Sequence, residues 1–253
     1  MTNVLKDRYT VIAIDDNILM GSAGGGGDGE EANFPFNTIN DVVDACVPHV
    51  MEIAQEYGNK SADGEGRDIL LGGWSYGGVI ATLVTERLQK AKMEKLNTVD
   101  VNVTSVVLFD APLFGDIIHG SSNIFSNTET NESNAGIQRQ ALAHFEYCTG
   151  LLGKFYRDES TIFNKLATNR ITPDDFVQVL GTSNMVILRA SEGEVEDEAS
   201  ILGDPHQNDT LSLYQQLTGT VLTGIIKSPG SHWTMLFDDH VNHVAKHMAE
   251  HVI

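Results

Sequence analysis

Glycines two residues either side of a serine, in Gly73-Trp74-Ser75-Tyr76-Gly77, form the strongest chemical signal in this chain. The letters G-x-S-x-G alone arise by chance in roughly one chain in ten at ordinary glycine usage, so their context decides. DILLGGW before the serine reads as a buried strand, and VIATLVTERL after it reads as a helix. A strand that reverses into a helix within a few residues forces the central residue into strained backbone. The two backbones then pass close together, so small residues are required at ±2, and Gly73 and Gly77 are predicted to meet that need. Such a turn lifts Ser75 Oγ clear of the sheet at the strand's C-terminal end. It also aims the N–H groups of the helix N-terminus, that of Tyr76 first, at a developing oxyanion. A phosphate-cradling turn would not need serine here, and its lysine is absent.

A serine hydroxyl becomes a useful nucleophile only when a base takes its proton and an acid orients that base. Of nine histidines, His232 stands out, in Ser228-Pro-Gly-Ser-His-Trp-Thr-Met-Leu236 between the last strand and the last helix. Pro229 and Gly230 are turn residues that free its imidazole from regular structure. His49 belongs to a helical pattern, and His119, His144 and His206 fall in an insertion or a polar loop. His240, His243, His247 and His251 share one helical flank, where a metal site is conceivable. The apolar stripe Val241, Val244, Ala245, Met248 and Val252 beside them favours a solvated flank of a packed helix, so no metal is expected. The acid has two addresses. Asp110 ends the hydrophobic run VVLFDAP, where an ionised carboxylate needs a partner. Glu192, Glu194, Glu196 and Asp197 read instead as a solvated charge run, so Asp110 is preferred.

The elements that must position these groups alternate strand and helix. Residues 9–14 (YTVIAI) read as a strand and are followed by a glycine-rich stretch over residues 21–34. From Asn40, Val42, Val43, Cys46, Val47, Val50, Met51 and Ala54 recur at helical steps, with Pro48 as a site for a kink or break. Strands are predicted over 68–71, 102–109, 185–188 and 221–226, and helices over 79–92 and 239–251. This rhythm implies an α/β fold, a mostly parallel sheet covered on both faces, in one domain spanning residues 1–253. Residues 115–181 form an insertion with helices of its own, at 137–156 and from Thr172, better read as a lid than as a connection.

The formal net charge of −19 excludes a phosphate-tracking nucleic-acid binder, which needs a basic stripe. Two cysteines, Cys46 and Cys148, are too few for a disulfide framework and read as buried thiols of a reducing compartment. The N-terminus shows no apolar leader, and no apolar stretch approaches the ~20 residues that span a bilayer. A cytoplasmic protein without membrane contact is the expectation.

Taken together, GGWSYGG, LFDAP and GSHWTML before a closing helix resemble the thioesterase domains that end polyketide, nonribosomal-peptide and fatty acid synthases. The resemblance implies an α/β-hydrolase fold, whose base follows the last strand, and covers most of the chain from Tyr9 onward. It implies that Ser75 is acylated by a carrier-bound thioester, that His232 is base and then acid, and that Asp110 holds the imidazole. The partner would be an acyl or peptidyl carrier whose phosphopantetheine arm brings the substrate, with no cofactor of the protein's own. On the lid helix, Ala141, Phe145, Cys148, Leu152 and Phe155 fall three or four apart, and Phe145, Leu152 and Phe155 would wall the acyl channel. The family also has an earlier strand whose following loop gives a second oxyanion donor, and these N-terminal elements have no counterpart here. A carboxylester hydrolase, or a catalytically impaired or truncated thioesterase-like docking module, is the alternative.

Overall fold

The computed structural model describes residues 10–14, 36–60, 66–94, 100–111, 147–148, 150–152, 154–155, 184–190, 222–231, 234–237 and 240–251. They form α1 (Ile39–Tyr57), β1 (Asn59–Lys60), β2 (Arg67–Trp74), α2 (Tyr76–Met93), β3 (Val101–Phe109), β4 (Asn184–Ala190), β5 (Leu222–Ser228) and α3 (His240–His251). The strands make one sheet in the order β1-β2-β3-β4-β5. β2 to β5 run parallel, and only the two-residue β1 is antiparallel to its neighbour. Six of the predicted elements recur with ends within three residues of those expected, and α2 starts three residues earlier, directly at the serine turn.

α1 begins where its chemistry says it should. Thr38 Oγ1 accepts the Asp41 N–H at 3.1 Å while the Asp41 carboxylate accepts the Thr38 N–H at 2.8 Å, a reciprocal capping box. Hydrogen bonding to the Thr38 hydroxyl and then to the Thr38 N–H holds the Asp41 carboxyl below its ordinary pKa. Pro48 removes one internal hydrogen bond, yet the helix runs on for nine residues beyond it to Tyr57. Burial of Ile39, Val42, Val43, Cys46, Val50 and Ala54 along one face outweighs that loss.

Two apolar clusters lie against the two faces of the sheet. One gathers α1, α2, and Val101, Val103, Val106 and Leu108 of β3; the other gathers Val107 and Phe109 of β3, Leu188, Met235 and the inner face of α3. The first cluster takes odd positions of β3 and then even ones, which a strand of strict period two cannot do. A bulge accounts for the switch: Ile69 pairs with Val103 and Leu70 with Ser105, leaving Thr104 as the extra residue. Its hydroxyl donates to the Ile69 carbonyl at 3.1 Å. α2 is buried at every residue from Gly78 to Thr85, and its two threonines satisfy their hydroxyls on carbonyls four residues back, Thr82 on Gly78 at 3.0 Å and Thr85 on Ala81 at 2.8 Å.

One predicted strand is absent. Residues 10–14 belong to no strand, and Thr10 to Ala13 are exposed; Tyr9 lies outside the described residues. β-branched composition favours a strand only where a neighbour completes the ladder, and none of the described strands does so. Most of the insertion at 115–181 also lies outside the described residues, including the helix expected from Thr172, but Tyr147, Cys148 and several residues up to Phe155 are helical as expected. No described helix is long and apolar enough to cross a membrane.

Candidate active site

Ser75 occupies the single residue between the end of β2 and the start of α2. Its backbone, at φ 52° and ψ −127°, lies where side chains are rarely tolerated. Two hydrogen bonds hold it there: the Ser75 N–H donates to the Phe109 carbonyl at 2.8 Å, and the Ser75 carbonyl accepts the Gly78 N–H at 2.9 Å. A serine at the head of a helix ordinarily spends its hydroxyl on a cap, as Thr38 does on α1. Ser75 makes no such side-chain bond, so its Oγ is not spent on the helix. Tyr76, the expected oxyanion donor, is the first residue of α2.

The close approach within this turn is between Gly73 and the backbone of Gly77, as expected, but the second residue that must be small is Gly78 and not Gly77. A Cβ on Gly73 would lie 2.0 Å from the Gly77 carbonyl oxygen and 2.4 Å from the Gly78 nitrogen. A Cβ on Gly78 would lie 2.5 Å from Ala111 Cβ. A Cβ on Gly77 would meet no described atom within 4 Å. Gly73 and Gly78 are therefore the residues that sterics demand. The correction has a physical source, because the helix turns Gly77 away from β2 while Gly78 faces the end of β3. The signal was available in the last glycine of GGWSYGG, Gly78.

Asp110 stands one strand over. β2 and β3 are in register at Trp74 and Phe109, so Ser75 and Asp110 follow directly beyond paired ends. Asp110 is at φ 44°, and among the described residues it and Ser75 are the two non-glycine residues with positive φ. Its N–H donates to the Leu188 carbonyl at 2.7 Å, and its Oδ1 accepts the Ala190 N–H at 3.2 Å. Both groups tie it to the end of β4. The rival acids Glu192, Glu194, Glu196 and Asp197 lie outside the described residues.

The third address is the end of β5, where Ser228 pairs with Ala190. His232 itself lies outside the described residues, but the residues flanking it form a defined turn. The Ser231 N–H donates to Thr234 Oγ1 at 2.9 Å, and the Thr234 and Met235 N–H groups both donate to the Ser231 carbonyl, at 3.1 and 3.0 Å. Fully buried Met235 anchors this turn on Phe109 and Leu188. Gly230 needs its φ of +100°, and a Cβ there would lie 3.1 Å from the ring of His240. That gives His240 a packing role, and no metal-binding group of histidine, cysteine or acidic side chains occurs among the described residues.

Of the expected acyl wall, Phe145 lies outside the described residues. Leu152 and Phe155, 5% and 8% exposed, pack into the core cluster formed with α1 and α2. Tyr147 on the same stretch donates its hydroxyl to the Phe36 carbonyl at 2.5 Å, pinning this stretch to the segment that leads into α1. Cys46 and Cys148 are both buried and in no disulfide, and burial pushes the Cys46 thiol above its ordinary pKa.

A mostly parallel sheet flanked by helices, with a serine on a strained strand-to-helix turn, is an α/β-hydrolase-like fold. No family model and no curated protein matches the chain. Among the solved structures that align with it are two described as "Vlm2 thioesterase domain with genetically encoded 2,3-diaminopropionic acid bound with a dodecadepsipeptide", in space groups P1 and H3. The first is 15% identical, covers 89% of this chain and 79% of its own, and has a TM-score of 0.40. The second is 17% identical, covers 89% and 81%, and has a TM-score of 0.39.

Proposed function

We propose that the protein is a serine acyl hydrolase of thioesterase type, which takes an acyl chain from a carrier-bound thioester through an acyl-enzyme. The observation that carries this reading is the coincidence of strain with chemistry: the described non-glycine residues at positive φ are Ser75 and Asp110, side by side at the C-terminal end of the sheet. Backbone strain of this kind costs roughly 1–3 kcal/mol per residue and clusters where geometry serves reaction.

In this mechanism His232 takes the proton of Ser75 Oγ as the oxygen attacks the thioester carbonyl. The Tyr76 N–H, at the positive end of α2, faces the oxyanion. His232 then protonates the departing thiol of a phosphopantetheine arm. Water, or a nucleophile within the acyl chain, enters by the reverse sequence and releases the product. The Asp110 carboxylate fixes the imidazole tautomer and faces the imidazolium. Residues 1–253 act as one domain, with residues 115–181 as a lid over the site.

Mass spectrometry after exposure to a long-chain acyl thioester tests the reading. An acyl adduct on Ser75, absent from Ser75→Ala, is the expected result, with faster turnover of carrier-bound than of simple ester substrates. An adduct on another residue would overturn the assignment of the nucleophile. A folded protein that gives no adduct and ignores fluorophosphonate would be a docking module rather than an enzyme.

A further inference from the structure

The strand that carries Ser75 is less covered than the strands beside it. β3 is buried at seven of its nine residues, whereas no residue of β2 is fully buried and Gly72 is exposed. On the side away from β3, β1 pairs only with Arg67 and Asp68. Residues 69–73, Ile-Leu-Leu-Gly-Gly, carry no charge and no proline, and the bulge in this pair lies on β3. Native edges are ordinarily blunted by such features, because unpaired N–H and C=O groups template another strand.

The same chain carries a strand-forming segment that belongs to no sheet. Residues 10–14 read Thr-Val-Ile-Ala-Ile, with Val11 and Ile12 48% and 39% exposed. Ile14 packs against the core cluster that Ile69 and Leu71 of β2 also join. Among the described residues of one copy, five residues of the segment and five of the edge pair with no strand on these sides.

We propose that the open edge of β2 takes residues 10–14 of a second copy, and that the exchange is reciprocal. Each copy then offers one strand and one edge, so the pairing closes at two. Backbone hydrogen bonds supply the attraction, and Val11 and Ile12 leave solvent. Two short strands make a small interface, which places the association among weak, transient contacts rather than obligate ones. A charge of −19 on each copy opposes the dimer, so raising the salt from about 0.02 to 0.5 M tightens it. The inference does not depend on the hydrolase reading, because it concerns assembly and not turnover.

Sedimentation over a hundredfold range of concentration, paired with hydrogen exchange read by mass spectrometry, tests it on the full chain. The expected result is a salt-strengthened dimer, with amides of residues 10–14 and 69–73 gaining protection together as it forms. Ile12→Pro, at an exposed position, removes a ladder N–H and should leave a folded monomer at every concentration, while Ile12→Thr still dimerises. Should Ile12→Pro disturb the fold, Val11→Lys supplies the same test on the surface. A monomer throughout overturns the proposal, as does protection of residues 69–73 that ignores concentration and so reports pairing within one copy. A dimer that leaves residues 69–73 unprotected, or survives both variants, overturns it equally.

Discussion

Replacing the three glycines of the serine turn one at a time by alanine separates close approach from mere resemblance to a motif. At Gly73 the added carbon would sit 2.0 Å from one backbone oxygen and 2.1 Å from its carbon, atoms that move only if β2 and α2 part. Relief requires a shift of more than an ångström in a packed turn, so Gly73→Ala should lie at or beyond the upper end of the ~1–3 kcal/mol overpacking range. At Gly78 the clash is 2.5 Å with Ala111 Cβ, 3.1 Å with the Gly73 oxygen and 3.3 Å with Leu108 Cδ2. The overpacking cost of ~1–3 kcal/mol there is offset by the ~1 kcal/mol by which alanine exceeds glycine in a helix, leaving a net loss of about 0–2 kcal/mol. At Gly77 the added carbon meets no described atom, so only the gain remains, and Gly77→Ala should raise stability by ~0.4–1 kcal/mol. Urea unfolding followed by circular dichroism orders the three, and the rate of fluorophosphonate labelling reports whether Ser75 keeps its geometry. The order Gly77 above wild type, then Gly78, then Gly73 is expected. Gly77→Ala destabilised as much as Gly78→Ala, or a well-tolerated Gly73→Ala, would refute the reasoning.

Ser75→Gly should abolish fluorophosphonate labelling yet raise stability by ~1 kcal/mol, because glycine adopts φ 52° without steric cost; a lowered melting point would show that the turn is not strained. Asp110→Asn should lower turnover by about 10⁴ and leave the fold intact, since the amide oxygen can still accept the Ala190 N–H but the imidazole loses its anionic acceptor. Leu152→Ala should cost ~2–5 kcal/mol as a core truncation, and a variant of unchanged stability with an altered acyl-length preference would return Leu152 to the channel wall. Burial holds the Glu86 carboxyl above its ordinary pKa, against the pull of Arg87 and Lys90. Its stabilising contribution is therefore full below the unfolded carboxyl pKa and lost as pH rises through the folded one. Glu86→Gln should melt above wild type at pH 8, with the gap closing as pH falls toward 4; a gap independent of pH would place its cause elsewhere.

The elements around the turn were legible because each carries a local signal: the 3-and-4 spacing of Val42, Val43, Cys46 and Val50, or the β-branched density of VNVTSVVLF. That a carboxylate ends the buried strand at Asp110 and needs a partner was legible, and the Ala190 N–H is one such partner; the part Asp110 plays as the acid is a proposal. What escaped depends on neighbours distant in sequence. Thr104 looks like any strand threonine until Ile69 is placed beside it, and only then does the extra residue explain why β3 changes face. Residues 10–14 have the composition of a strand but no ladder, and composition cannot say which edge is near. Gly77 and Gly78 are indistinguishable as letters; the position of Ala111 at the end of the next strand separates them.

Strain at Ser75 and Asp110 has to be held by something, and the hydrogen bonds show what holds it. The Ser75 N–H is taken by the last carbonyl of β3, and the Asp110 N–H by a carbonyl of β4. Each strained residue is thus anchored on the strand that follows, so the nucleophile depends on β3 and the acid on β4. A typical hydrogen bond contributes a net ~0.5–1.5 kcal/mol, against roughly 1–3 kcal/mol for each positive φ. Two such bonds at each residue about match that strain, and they hold only while packing fixes the carbonyls that accept them, namely Phe109 and fully buried Leu188 against Met235 and Val244. Met235 also anchors the turn that flanks His232. One apolar cluster therefore supports the strand ends next to Ser75 and Asp110 and the turn residues that flank position 232, and softening it should loosen these together even though none of its side chains carries chemistry.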